Sequence, residues 1–323
     1  MKTQILSADA TAEAAVALTA GAAIALPTET VYGLAADALR VDAVMKIFEA
    51  KERPRFDPLI IHIPDQDWFE RLTAIPAASR ELVDALISSF WPGPLTLVLP
   101  RQLAVPDIVT AGLKTVAIRM SAHPVFDRII QAFGRPLAAP SANRFGRISP
   151  TTALHVLAEL EGRIAFIIDG GATTHGLEST IVAVRDGGIE ILRPGPITAE
   201  QLAALGEVRL ARARDRPEAP GQLPSHYAPR TRLVVTTDLA SFILAAGARG
   251  GGLTLRQSAA EGFAELRTLS ATGDLREAAA NLFRHLRELD QAGLDLIVAE
   301  EISEVGLGTA IMDRLRRAAA PQP

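Results

Sequence analysis

The 323-residue chain contains no cysteine. That absence removes disulfides, thiolate nucleophiles and Cys-ligated zinc together, so any chemistry must use oxygen and nitrogen groups or a cofactor. No apolar run reaches the roughly 18 residues that a membrane-spanning helix needs, and Met1 to Asp9 lacks the charged-then-apolar layout of a secretory signal. A soluble, cytoplasmic protein with no membrane contact is expected. Lysine is scarce, at Lys2, Lys46, Lys51 and Lys114, while arginine is abundant. A lysine such as Lys51 therefore marks a place where a compact point charge is wanted. The histidines at 62, 123, 155, 175, 226 and 285 show no metal-ligand spacing, and clustered carboxylates are missing. No protein-built metal site is expected, although Mg²⁺ carried on a nucleotide's phosphates fits. The formal charge of −4 argues against indiscriminate polyanion binding, and a local basic pocket stays open.

With 48% apolar residues, the chain can build two moderate cores. Helical spacing predicts helices over Thr11–Ala20, Val41–Ala50, Ala77–Phe90, Val125–Phe133 and Thr152–Glu161, the last begun by Ser149 as cap and Pro150 at its first position. Strands are expected at Ala22–Leu26, Leu59–Ile63, Leu95–Leu99, Val116–Met120, Leu137–Ala139, Phe166–Ile168, Thr180–Val184 and Ile189–Leu192, with a hairpin turn at Asp186-Gly187-Gly188. Strands mixed with helices and hairpins imply an α/β or α+β domain over residues 1–205. Residues 206–230 show no periodicity. They carry Pro217, Pro220, Pro224 and Pro229 with Arg209, Arg212, Arg214 and Arg216, and read as a linker or a functional lid. Residues 231–323 alternate strands (Leu233–Thr236, Gly252–Leu255, Arg267–Leu269, Leu294–Ala299) with helices (Asp238–Ala246, Asp274–Ala292, Thr309–Ala319), the mark of a small parallel-sheet domain. Gly250-Gly251-Gly252 lacks the Gly-Lys-Ser/Thr of a P-loop.

The stretch Pro27 to Leu34 brings hydroxyls, a carboxylate and a phenol to a strand exit, where open α/β sheets place ligands. Local capping explains it equally well. Lys51-Glu52-Arg53, just past a helix end, suits a polyphosphate, with Lys as point charge and Arg as fork. A solvated charge cluster is the plainer alternative. Ser141-Ala142-Asn143, followed by Arg144, Arg147 and Ser149, either lines a nucleotide pocket or makes a turn. Arg119 sits in an apolar strand and needs an anionic partner, a ligand carboxylate or an internal Asp. His62, alone near a strand end, reads first as a core histidine. Ser179 has no Gly-x-Ser-x-Gly frame and no obvious base, which argues against a serine hydrolase.

In order and spacing, Pro27 to Leu34, Lys51-Glu52-Arg53, Trp91-Pro92-Gly93-Pro94-Leu95-Thr96, Pro140 to Asn143, Glu178 to Val182 and Leu192 to Gly195 resemble the YrdC family. Pro220-Gly221, His226-Tyr227-Ala228-Pro229 and Gly306 to Met312 extend the resemblance to the family's long form, the two-domain threonylcarbamoyl-AMP synthases. Between Gly221 and His226, where that form typically carries Met and an aromatic residue, this chain has Gln222-Leu223-Pro224-Ser225.

The resemblance implies a twisted, mostly parallel mixed sheet with a basic concave face, joined to a Rossmann-like C-terminal domain. It implies a nucleotidyltransferase that joins L-threonine, bicarbonate or CO₂, and ATP into L-threonylcarbamoyladenylate. A separate transferase then modifies tRNA, so the reaction itself needs no tRNA contact. Carried over residue by residue, it places Thr30, His62, Arg119, Ala139 (through its backbone) and Ser179 at threonine. Lys51, Arg53, Asp57, Thr115, Ser141, Asn143, Ser149 and Arg193 fall at ATP, with Lys51 and Arg53 as the catalytic phosphate-neutralising pair. His226 and Tyr227 close over the reactants as part of a lid. Carbamoyl transfer on a related domain comes with Cys-rich zinc modules, which this chain lacks.

Overall fold

The structure, a computed structural model, describes residues 2–211, 217–256 and 260–321. Arg212, Arg214 and Arg216 of the charged connector lie outside the described residues. The chain is α/β, with two sheets. The larger is an 11-stranded mixed sheet built from Gln4–Ser7 (β1), Ile24–Leu26 (β2), Gly33–Asp37 (β3), Ile60–His62 (β4), Leu95–Pro100 (β5), Thr115–Arg119 (β6), Leu137–Ala138 (β7), Phe166–Asp169 (β8), Thr180–Arg185 (β9), Gly188–Arg193 (β10) and Val208–Leu210 (β11). Its order is β1-β8-β2-β3-β7-β4-β6-β5-β9-β10-β11. The helices that cover it are Thr11–Thr19 (α1), Val41–Lys51 (α2), Gln66–Leu72 (α3), Arg80–Phe90 (α4), Asp107–Thr110 (α5), Pro124–Phe133 (α6), Ala153–Leu160 (α7) and Ala199–Ala203 (α8).

Apolar faces explain the layering. On α2, Val44, Ile47 and Phe48 pack into the core that Leu34, Ile61, Leu97 and Ile118 form on one side of the sheet. On the other side, Ile129 and Ile130 of α6 join Leu18 of α1 against Ile24, Leu26 and Ile168. The β9–β10 hairpin turns on Asp186 and Gly187, both at positive φ (51° and 76°), the pairing a two-residue primed turn requires.

The second sheet has four strands in the order β12-β15-β13-β14, all parallel. These are Leu233–Thr236 (β12), Gly250–Thr254 (β13), Glu265–Thr268 (β14) and Leu296–Glu300 (β15), with helices Leu275–Gln291 (α9) and Leu307–Ala319 (α10). Leu282, Phe283, Leu286, Ile311, Met312 and Leu315 from those helices share a core with Leu253 and Ile297. Among the described residues, no helix is long and apolar enough to cross a membrane.

Several expectations change. The cap of α7 is Thr152, whose hydroxyl accepts from the His155 amide, and not Ser149. Ser149 is fully buried and its hydroxyl donates to Glu178, so it is not free to cap the helix. Lys51 is the last residue of α2, and the left-handed Glu52 (φ 54°) ends it. Asp238–Ala246 is a series of turns, not a helix. The Asp238 carboxylate takes the Ala240 amide and the Ser241 hydroxyl, the local competition that makes Asp a poor helix residue. Val208–Leu210 in the connector adds a parallel edge strand to β10.

Candidate functional site

Pro27 to Leu34 is loop up to Tyr32 and strand only from Gly33. Gly33 opens β3, which folds back antiparallel on β2 through the pairs Ile24↔Ala35 and Leu26↔Gly33. The loop before it is tied from within. The Thr28 hydroxyl donates to the Val31 carbonyl at 2.6 Å, accepts from the Thr30 and Val31 amides, and lies 2.8 Å from the Thr30 hydroxyl. Tyr32, fully buried, donates to the Gly171 carbonyl at 2.7 Å.

This loop, the ends of β4 and β6, the Ala139 to Ser141 segment, the Glu178-Ser179 step and the connector surround one cavity of about 40 Å³. Thr30, His62, Arg119, Ala139 and Ser179 all line it. Arg53, Ser141, Arg193, His226 and Tyr227 line it as well. Lys51, Asp57, Thr115, Asn143 and Ser149 do not reach its wall. Lys51 and Asn143 stand directly behind it, because the Lys51 ammonium donates to the carbonyls of Ser141 and Asn143 at 2.5 Å each. Thr115 lies at the opposite end of β6 from Arg119; continuing the Ile60↔Ala117 register sets it level with Pro58, next to Asp57.

Arg119 has an internal partner that the sequence reading did not name. Its Nη2 lies 2.7 Å from Glu29 Oε1, Nη1 donates to the Thr30 hydroxyl at 3.0 Å and Nε to the Gly93 carbonyl at 3.2 Å. The other Glu29 oxygen accepts from Ser121 at 2.5 Å. Burial alone would raise the Glu29 carboxyl, but Arg119 and Ser121 outweigh it and hold its pKa at about 2. Thus Glu29, Thr30 and Gly93 anchor the guanidinium where it lines the cavity.

His62 pairs in register with Arg119 across β4 and β6 and rests on the Phe126 ring at 4.7 Å. Burial, and then the nearby Arg119 charge, lower its pKa to about 3, so at neutral pH it is an uncharged imidazole. Its Nδ1 is buried with no hydrogen-bond partner.

Further cations gather at and behind the cavity. Arg53 reaches Asp57 Oδ2 at 2.7 Å and the Pro58 carbonyl at 2.9 Å. Burial pushes the Asp57 carboxyl up, against the pull of Arg53, Lys51 and Arg193, and its Oδ1 makes no hydrogen bond. Burial, with Arg53 beside it, drives the Lys51 ammonium well below its ordinary value. Arg193 clamps Ser179 by three bonds: Nε and Nη2 to its carbonyl at 3.1 and 3.0 Å, and Nη2 to its hydroxyl at 3.1 Å. Thr96 adds a hydroxyl contact to Ser179 at 2.8 Å. The Asn143 amide donates to the Arg144 and Arg147 carbonyls at 2.7 and 2.9 Å, which leaves its buried Oδ1 without a partner.

The connector crosses the cavity. Gly221, at φ +80°, passes so close to Tyr227 that a Cβ there would sit 2.5 Å from the phenol oxygen, so only glycine fits. Tyr227 is itself left-handed at φ 63°, and its hydroxyl is buried without a partner. The His226 imidazole meets Phe145 edge-on at 5.9 Å. Burial, followed by Arg53, Lys51, Arg193 and Arg314, pushes His226 well below its usual pKa. That field is what an anion entering here would meet. Phe145 also lines a larger cavity of about 660 Å³ with Phe56, Arg144, Arg147 and Pro224; the smaller cavity is the candidate site because the buried charges converge on it.

Glu29, Glu178 and Arg314 were missed by sequence reasoning. Glu178 carried a signal, since it immediately precedes Ser179 in a recognised motif. Arg314 carried none: it comes from α10, in the other half of the chain. Among the described residues no group of three or more His, Asp or Glu could hold a metal ion.

Comparison with known proteins identifies the family. A family profile for Sua5, YciO and YrdC proteins, described as "Telomere recombination", matches residues 16–195. A second, described as "Threonylcarbamoyl-AMP synthase, C-terminal domain", matches residues 197–320. The threonylcarbamoyl-AMP synthase of Pyrococcus abyssi is 42% identical over 312 residues, covering 92% of this chain and 90% of that protein. The Bacillus subtilis protein of the same name is 43% identical over 322 residues, covering 95% and 92%. The crystal structure of P. abyssi Sua5 complexed with L-threonine superposes with a TM-score of 0.91 at 40% identity, over 98% of both chains. The chain belongs to the Sua5/YciO/YrdC family, in its long form with a Sua5 C-terminal domain.

Proposed function

We propose that the protein is a threonylcarbamoyl-AMP synthase, a nucleotidyltransferase that makes L-threonylcarbamoyladenylate and pyrophosphate from L-threonine, bicarbonate or CO₂, and ATP. The observation that carries the reading is the assembly of Thr30, His62, Arg119, Ala139 and Ser179 around one cavity that Arg53 and Arg193 also line. An amino-acid subsite and a polyphosphate subsite thereby meet. The named activity of relatives that span nine-tenths of the chain supports it, as does threonine in the P. abyssi structure.

Arg119 takes the threonine carboxylate through the N–H groups that Glu29, Thr30 and Gly93 leave over. The neutral His62 and the Thr30 and Ser179 hydroxyls orient the amine and side chain. The amine nitrogen attacks the carbon of CO₂ and loses a proton, giving a carbamate. A carbamate oxygen then forms a bond to the α-phosphorus as the bond from that phosphorus to the pyrophosphate oxygen breaks. Lys51 and Arg53 neutralise charge on the departing pyrophosphate, with Arg193 beside them. Asp57, Ser141, Asn143 and Ser149 complete the nucleotide side, and Thr115 adds to it from the Asp57 end. The unpartnered Asn143 Oδ1 is free to accept a hydrogen bond from the nucleotide.

Magnesium arrives as part of the MgATP substrate, bound to its phosphates. A cavity of about 40 Å³ holds only a few water-sized groups, so substrates enter when the connector lifts. Residues 206–230 act as a lid between a catalytic domain (1–205) and a Rossmann-like domain (231–323). His226 and Tyr227 close it and keep water from the carbamate. The reaction runs in the cytoplasm, and its product feeds a separate transferase that forms threonylcarbamoyladenosine in tRNA.

The test is purified protein with MgATP, bicarbonate and threonine. Pyrophosphate release that requires threonine is expected; release independent of threonine, or none, would sink the assignment.

A further inference from the structure

The reaction is carried on first-half side chains, yet a fully buried side chain of the second half packs against residues that line the same cavity. Arg314, on α10, has no solvent exposure. Its Nε donates to Glu178 Oε2 at 2.9 Å and its Nη2 to the Pro194 carbonyl at 3.0 Å. Asp313, 2.6 Å away, takes the remaining nitrogen. The guanidinium also lies over the Tyr227 ring, 5.1 Å from its centre, while Phe283 stacks against that ring at 5.6 Å.

Arg314 touches two residues that line the cavity, Glu178 and Tyr227, and a third, Pro194, that directly follows the lining residue Arg193. Glu178 passes the constraint on, because its second oxygen accepts the Ser149 hydroxyl. Adjacent residues are thus held by arginines from the two halves of the chain: Ser179 by Arg193 and Glu178 by Arg314.

We propose that Arg314 is a positioning residue for the synthase reaction, through which the C-terminal domain sets the Glu178-Ser179 step and the Tyr227 ring of the closed cavity. This rests on the function proposed above. Arg314 touches no substrate; it acts by fixing groups that do. A charged, geometrically forked donor suits the task, since one guanidinium can hold a carboxylate, a carbonyl and an aromatic face at once.

The experiment compares full-length wild type, Arg314→Met, Arg314→Lys, Arg314→Met with Glu178→Gln, and the exposed control Arg316→Ala, by threonine-dependent pyrophosphate release and thermal unfolding. Arg314→Met should raise the KM for threonine or ATP by about tenfold or more. Arg314→Lys should lie between it and wild type, and Arg316→Ala should match wild type. A merely structural role would lower the folded fraction and leave both KM values unchanged, because KM does not depend on how much enzyme is active. In the double variant the neutral Gln removes the stranded carboxylate, so the melting temperature should recover while the raised KM persists. Recovery of both would overturn the proposal. Should Arg314→Met fail to fold, the double variant and Arg314→Lys carry the test, and wild-type KM values in both would overturn it. An active wild type with unchanged variants overturns this proposal alone, whereas an inactive wild type overturns the assigned reaction and the proposal with it.

Discussion

Both halves of the molecule bury charge, and they do so toward different ends. In the first half, Lys51, Arg53, Asp57, His62, Arg119 and Arg193 are buried around one small cavity. In the second half, Arg287 and Arg314 are buried against the first half. Arg287 donates to the Ile148 carbonyl and to Glu159 at 3.2 Å, and Arg314 to Glu178 and Pro194. The second sheet is packed by another route. Its strand β13 uses glycine so that leucines can close on it: a Cβ at Gly251 would meet Leu294 at 2.4 Å and Leu289 at 2.9 Å. One half stores electrostatic energy for a ligand, and the other spends its buried charge on an interface.

The comparison breaks most decisively at Lys51. Lys51→Ala should lower turnover by about 10²- to 10³-fold, and it leaves the Ser141 and Asn143 carbonyls without their donor, costing about 1–3 kcal/mol. Pyrophosphate release and chemical denaturation read the two effects; near-normal turnover would remove Lys51 from the phosphate side. Arg287→Met should cost a similar ~1–3 kcal/mol while both KM values hold. A changed KM there would mean that the whole interface, and not Arg314 in particular, tunes the cavity. Gly251→Ala overpacks the second core, and about 1–3 kcal/mol of destabilisation is expected from such a change. Its neighbours are leucine side-chain ends, so the low end of that range applies, and again the KM values should stay fixed.

A pH series sharpens the same contrast. His62 is held neutral to a pKa of about 3 and His155 to about 4, in each case chiefly by burial. In the unfolded chain each takes up a proton near pH 6.5. Their contribution to stability is therefore full above pH 6.5 and falls as pH drops toward 4, because the unfolded state binds more protons there. Between pH 6.5 and 5 each should cost roughly 1–2 kcal/mol, read as a falling denaturation midpoint. His62→Gln should flatten part of that fall. The smallest effect is local: Thr152→Ala removes the α7 cap and should cost about 1 kcal/mol.

What the sequence revealed depends on how local the cause is. Helices such as α2 and α6 were legible because their apolar spacing matches the core they face. Strand β3 was not, since Gly33 to Asp37 is buried on both faces and offers small residues without alternation. The turn series over Asp238–Ala246 was misread because alanine-rich spacing hides the side-chain bonds of Asp238. At the site, the residues that the structure gathers around the cavity were picked out only through ordered motifs; Thr30 alone would never have been singled out. The Glu29 partner of Arg119 and the Ser149 to Glu178 bond join residues far apart in the chain, where spacing carries no information.

The strand order also governs how the protein is made. Strand β8 lies between β1 and β2, pairing Gln4 with Phe166 and Ala25 with Ile167, so the first strands leaving the ribosome stay open at their edges until residue 169 has followed. The cavity waits longer still, because its wall is finished by Tyr227. Such non-local pairing makes folding slow and exposes strand edges to other chains. Most of the cavity lining lies before residue 194, so the connector is the last piece to arrive, and the yield of folded protein depends on how well those early edges are shielded during synthesis.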